Sequence, residues 1–246
     1  DWVTNSNAYL SAKWVHPGGA GGSGSVYFNG SSAALVDSVI RDSASHGVYV
    51  VNGSPTLRGN TIEGSASHGV YLYRSSTSHP AAAPLLEDNV IRASGGDVVH
   101  VYYYGTPTLL GNTLTDNRNW GVYFNYAMTT PVLVGNTITG NGRAVHLPAS
   151  AVPSPADDNV LLPNAEDGVW ILGQGRSQDL QLAVLRADQA ELNTYHVSGT
   201  LSMNSGSTLT LDAGVDIGEP TEVAPTLSIA EEGEASTMHV PPALEV

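Results

Sequence analysis

Residues 108–125 read TLLGNTLTDNRNWGVYFN, and two other stretches repeat that pattern, TLRGNTIEGSASHGVYLY at 56–73 and VLVGNTITGNGRAVHLP at 132–148. Looser copies are LVDSVIRDSASHGVYVV (35–51), LLEDNVIRASGGDVVHVY (85–102) and ADDNVLLPNAEDGVWIL (156–172). One asparagine marks the register. Asn60, Asn89, Asn112, Asn136 and Asn159 follow one another at steps of 29, 23, 24 and 23, with Ser38 in the same place 22 residues earlier. The long step carries the insertion SSTSHPAAAP (75–84). A period near 23 residues is the signature of a solenoid.

Each copy places apolar residues at four matching positions. Leu35, Leu57, Leu86, Leu109 and Leu133 form the first column, and Ile40, Ile62, Ile91, Leu114, Ile138 and Leu161 the second. Val48, Val70, Val99, Val122, Val145 and Val169 form the third, and Val50, Leu72, Val101, Phe124, Leu147 and Ile171 the fourth. Side chains that alternate across a strand put one face of each strand inside. A helical repeat is excluded, because Gly, Asn and Pro fill the gaps where a helix would have to run. The expected fold is therefore all-β, a right-handed parallel β-helix of three sheets. Coils of this length cannot bury a core alone and stack about 4.8 Å apart. The asparagine column, Asn60, Asn89, Asn112, Asn136 and Asn159, reads as a structural ladder whose amides hydrogen-bond from coil to coil.

The G-N-T-I turn and G-V-Y strand resemble the right-handed β-helix superfamily that includes pectate-lyase-like proteins, over residues 31–175. That resemblance implies a fold and leaves function open, since the superfamily holds lyases, hydrolases, epimerases, tailspikes, adhesins and plain surface rods. Residues 1–30 read as an entry coil with a Gly-rich loop (HPGGAGGSG, 16–24), and 176–246 as irregular continuing coils. Within the latter, YHVSGTLSMNSGSTLTLDAGVDI (195–217) resembles a segment that opens β-helix arrays in large secreted bacterial surface proteins, so Tyr195 is expected to begin a second array. The end at PPALEV reads as a fragment of a longer chain.

Composition narrows the partners. The 246 residues carry a formal charge of −14 and a single lysine, Lys13, which argues against nucleic acid or an anionic membrane surface. No run of apolar residues is long enough to span a bilayer. There is no cysteine, hence no disulfide framework and no thiolate chemistry. No calcium-loop spacing occurs among the acidic residues, so calcium has no support from spacing and no cofactor is expected.

Chemistry is expected on one outward strip. Between the third and fourth core columns lie Tyr49, Tyr71, His100, Tyr123, His146 and Trp170; two residues further on come Tyr73 and Tyr102. Three residues before the strip lie His46, His68, Asp97, Trp120 and Asp167. Stacked rings hold sugar chains in many β-helices, and they also stabilise neighbouring parallel strands without any ligand. For catalysis, His100 is the candidate base with Asp97 and Tyr102 beside it, but the cationic group a uronate lyase needs is missing. His46 and His68 occur in identical SASHGVY contexts and could share a transition metal with Asp97; duplication alone also explains them. Arg41, Glu63 and Arg92 form an alternating charge column.

Two functions follow. The leading one is a non-catalytic extracellular or cell-surface module, structural or adhesive, that stacks end to end on itself or on neighbouring modules and so builds a filament. The other is a carbohydrate-binding or lyase-like module that uses the ring strip on a polysaccharide.

Overall fold

A computed structural model describes residues 9–10, 24–76, 82–126, 129–187, 190–204, 206–218, 226–231 and 234–239. The described residues form a parallel β-solenoid with three ladders of strands. A first sheet stacks Tyr9–Leu10, Ala34–Val36, Thr56–Arg58, Leu85–Glu87, Thr108–Leu110 and Val132–Val134. A second stacks Val39–Arg41, Thr61–Glu63, Val90–Arg92, Thr113–Thr115 and Thr137–Thr139. The third and longest runs through Gly24–Asn29, His46–Val51, Val70–Arg74, Val99–Tyr103, Trp120–Phe124, Arg143–Pro148, Glu166–Leu172, Thr194–Ser198 and Asp216–Ile217. Every pairing in these three sheets is parallel, and the registers match the repeat: Leu35 with Leu57, Ile62 with Ile91, Val99 with Val122.

The four apolar columns are the core. Of their members only Leu133 and Leu161 show any exposure, at 6% and 2%. Fully burying an aliphatic side chain stabilises by roughly 1.5–3 kcal/mol, so repetition over successive coils makes this the main force holding the rod together. Glycine in the WGVY strand is required by close approach. A Cβ on Gly121 would lie 2.2 Å from Ile138 Cγ2 and 2.7 Å from the Ala144 carbonyl oxygen.

The asparagines sit inside the turn between the first two sheets. Nδ2 of Asn60, Asn89, Asn112 and Asn136 each donates to Oδ1 of the next asparagine at 2.9–3.0 Å. The same amides donate their second hydrogen backward, to the carbonyls of Leu35, Leu57, Leu86 and Leu109. Each Oδ1 also accepts the backbone N–H of the asparagine one coil earlier. All four polar valences of a buried amide are thereby used. The residue before each ladder position has positive φ: Asp37, Gly59, Asp88, Gly111, Gly135 and Asp158, at 48–65°. Only Gly, Asn and Asp adopt that conformation cheaply, which explains why this position alternates between Gly and Asp.

A second buried polar column lies five residues further on and becomes a ladder in its asparagine half. Ser43, Ser65, Ser94, Asn117 and Asn141 are buried there. Asn117 Nδ2 donates to Asn141 Oδ1 at 3.0 Å, and the Asn141 N–H donates to Asn164 Oδ1 at 2.9 Å. The charge column forms as expected, with Glu63 between Arg41 (2.8 Å) and Arg92 (2.7 Å); exposed pairs of this kind contribute little.

The first two sheets end at Val134 and Thr139, and after residue 175 shorter pieces follow, including an antiparallel pair, Leu185–Ala187 with Ala190–Leu192. The long sheet continues. Tyr195 pairs in parallel with Val169, is fully buried, and donates its hydroxyl to the Ala183 carbonyl at 2.6 Å. Its strand thus extends the sheet of the preceding coils. The Gly-rich loop at 16–23, the centre of the insertion (77–81) and the terminal PPALEV lie outside the described residues.

Candidate functional site

The outward face of the long sheet carries the ring strip. Strand alternation turns Val48 and Val50 inward and Tyr49 outward, and parallel register then places Tyr49 beside Tyr71, Tyr71 beside His100, and His100 beside Tyr123. Tyr123 pairs with His146 and His146 with Trp170. The column is longer than the sequence reading had it. Tyr27 precedes Tyr49, and His196 follows Trp170. Both sit in V-Y-F and Y-H-V triplets that alternate like the other copies.

The rings lie on one another along the rod. Ring centroids of His46 and Tyr71 are 4.6 Å apart at 11°, Tyr71 and His100 5.1 Å at 21°, Tyr123 and His146 4.8 Å at 17°, and Trp170 and His196 4.3 Å at 17°. These separations are close to the coil spacing, so in these pairs the ring faces meet, while Tyr27–Tyr49, Tyr49–Tyr71 and His100–Tyr123 meet at tilts of 46°, 57° and 32°. The upper strip is covered outright. His146 and Trp170 are only 6% and 7% exposed, and the Arg143 guanidinium lies 5.1 Å and 5.2 Å from the Trp120 and Trp170 ring centroids. Alternation gave the side of the sheet correctly but carried no information about this cover.

The column three residues earlier also differs at its end. An irregularity between Arg143 and Val145 shifts the register, so Glu166 rather than Asp167 stands opposite Arg143 and pairs with it at 2.7 Å. A shallow cavity of about 250 Å³ opens there, lined by Arg118, Asn119, Trp120, Gly142, Arg143, Ala165 and Glu166.

At the middle of the strip lies a polar cluster. Asp97, 4% exposed, accepts the Trp120 N–H on Oδ1 (3.1 Å) and meets His100 Nδ1 with Oδ2 (2.7 Å). His68 Nδ1 accepts the Asp97 N–H at 3.0 Å and lies 3.4 Å from Asp97 Oδ2. His46 Nδ1 accepts the His68 N–H at 3.4 Å. These partners assign the proton positions: His46 and His68 carry the proton on Nε2, while His100 carries one on Nδ1, donated to the Asp97 carboxylate. The structure thus brings His68, Asp97 and His100 together and leaves His46 stacked on His68 at 5.2 Å, two coils from the carboxylate.

Burial lowers the pKa of His46 and His68 to about 4, with the neighbouring imidazoles adding to the effect. His146 is also lowered to about 4, chiefly by burial and against the pull of its hydrogen bond to the Phe124 carbonyl. Burial and the adjacent tyrosines push Tyr71 up to about 12. Tyr102 is raised by its hydrogen bond to the Tyr103 hydroxyl, which moves it away from service as a base.

The lowered histidines give the fold a pH dependence. For His146 the unfolded chain takes up a proton near pH 6.5 and the folded one only near 4. The contribution is therefore complete above pH 6.5 and is lost as pH falls toward 4. It is on the order of 3 kcal/mol for this buried group. The melting temperature in the presence of a chelator is expected to fall steeply between pH 6.5 and 4, and less steeply in His146→Gln. A melting temperature flat across that window would contradict the assignment.

At the strand end three residues the repeat alignment does not single out, Tyr103, Tyr104 and Tyr126, join Tyr73 and Tyr102 in a corner cluster, with centroids 4.2 Å apart for Tyr102 and Tyr103 and 4.7 Å for Tyr104 and Tyr126. Tyr103 is 38% exposed. The run VYYYG at 101–105 was the available signal.

A family model described as a right handed beta helix region matches residues 24–182. No curated protein and no solved structure matches the chain.

Proposed function

Since this chain belongs to the right-handed β-helix family, we propose that it is a non-catalytic structural or adhesive solenoid module of an extracellular or cell-surface protein. One observation supports the reading: rings of the strip contact one another from coil to coil, face to face at Tyr71–His100, Tyr123–His146 and Trp170–His196 and tilted at Tyr49–Tyr71 and His100–Tyr123, so that much of the ring surface is taken up by packing between coils. Two others support it. Arg143, the guanidinium nearest the ring strip's upper end, is neutralised by Glu166, and Tyr71 and Tyr102 are both held away from ionisation. The extracellular placement rests on the likeness of residues 195–217 to segments of secreted surface proteins and on the strongly acidic composition. Stacking on neighbouring modules belongs to the same proposal.

The test is incubation of the purified chain with neutral and uronate-containing polysaccharides, with and without calcium, reading reducing ends and unsaturated product. No turnover is expected. Release of product, lost in His100→Gln, would overturn the reading.

The second reading is carbohydrate binding, and the corner cluster favours it. Tyr103 is exposed beside Tyr73, Tyr102, Tyr104 and Tyr126, in register with Arg74. Retention of the chain in a polysaccharide affinity gel, abolished by a Tyr102→Ala/Tyr103→Ala double substitution, would establish it.

A further inference from the structure

Asp97 is a carboxylate almost out of contact with water, and the groups paired with it are imidazoles: His100 Nδ1 at 2.7 Å and His68 Nδ1 at 3.4 Å from the same oxygen, Oδ2. No Lys or Arg side chain pairs with it among the described residues, although buried carboxylates are normally matched by a fixed cation. One ligand atom from each of His68, Asp97 and His100 falls within a set no more than 4.8 Å across. We propose that these three side chains form a binding site for a divalent first-row transition metal of the zinc, cobalt or nickel type, with its remaining coordination position open to solvent.

The donor chemistry selects the metal class. Two imidazole nitrogens and one carboxylate oxygen suit zinc and its neighbours, and they suit calcium or magnesium poorly. A tetrahedral site with bonds of 2.0–2.1 Å places its donors about 3.3 Å apart. The Oδ2 to His68 distance already has that value, while the Oδ2 to His100 hydrogen bond would open slightly as the metal enters. The proton balance is simple. His100 gives up the proton on Nδ1 and takes one on Nε2, so the imidazole stays neutral and its Nδ1 lone pair passes to the metal. His68 already has its lone pair on Nδ1; binding gives up the Asp97 N–H that this atom now accepts. The Trp120 N–H on Oδ1 remains and orients the carboxylate, as outer-shell partners commonly do. Both imidazoles retain partial exposure, 18% and 15% of their side-chain surface, which provides an entry path.

The site shares His100 with the ring strip but is read by a different measurement, metal binding and not turnover, so either can fail without the other. The experiment is calorimetric titration of the chelator-stripped full chain with zinc chloride, alongside the visible spectrum with cobalt chloride. Binding of one metal per chain is expected, with the absorption of a four-coordinate cobalt centre and a rise in melting temperature with added zinc. His68→Phe and His100→Phe keep a ring in each stack and are each expected to lose tenfold or more in affinity, while His46→Phe binds as the unaltered chain does. Absence of binding to the unaltered chain, or affinity unchanged in both His68→Phe and His100→Phe, would overturn the proposal.

Discussion

Asn112→Ala is expected to lower the stability of the chain by about 3–6 kcal/mol, a large share of what holds a domain of this kind folded. The substitution removes the oxygen that accepts both the Asn89 N–H (3.0 Å) and the Asn89 Nδ2–H (2.9 Å), and the amide that satisfies the Leu86 carbonyl (2.9 Å). Three polar groups are then left in a place where water does not reach, each in the lower part of the roughly 1–3 kcal/mol that such a group costs. Because Asn112 is third in a ladder of five, its loss also separates two above from two below. Urea denaturation measures the effect; a loss under 1 kcal/mol would mean that water or a shift of the turn replaces the amide.

Phe124→Ala is expected to cost about 3–5 kcal/mol. The ring is fully buried in the fourth core column, in register with Val101 of the coil beneath. Neighbouring coils are fixed by their own ladders, so the surroundings cannot collapse into the space vacated, and the cost should lie toward the upper part of that range. The same denaturation series checks it.

These two residues also show what was legible in the sequence. Phe124 and its column could be read directly, because burial on both neighbouring coils forces an apolar residue at one position of every copy. Asn112 could be read for a related reason: a buried turn needs the same amide each time, and the alternation of Gly and Asp before it reports a backbone conformation that few residues adopt. The second polar column escaped notice because its early positions are Ser43, Ser65 and Ser94 and only the later ones are asparagine. A column that changes residue type, and with it its hydrogen bonding, is harder to see than one that does not.

The site was legible in part. Register placed His68, Asp97 and His100 on one face, and their grouping follows from spacing of three along one strand and one coil between strands. Ring orientation was not legible. Whether Tyr71 shows a face or an edge depends on side-chain torsions, and whether Trp170 is covered depends on Arg143 and His196, neither of which the repeat specifies. The register shift after Arg143 likewise has no sequence marker beyond one residue's difference in spacing.

The ring strip joins coil to coil. Tyr71→Ala tests it most directly when thermal unfolding and retention in a polysaccharide affinity gel are read on the same preparation. The account predicts a melting temperature lowered by several degrees, from the lost stacking on His46 and His100, and no retention before or after substitution. An unchanged melting temperature, together with retention present in the unaltered chain and absent in Tyr71→Ala, would contradict it.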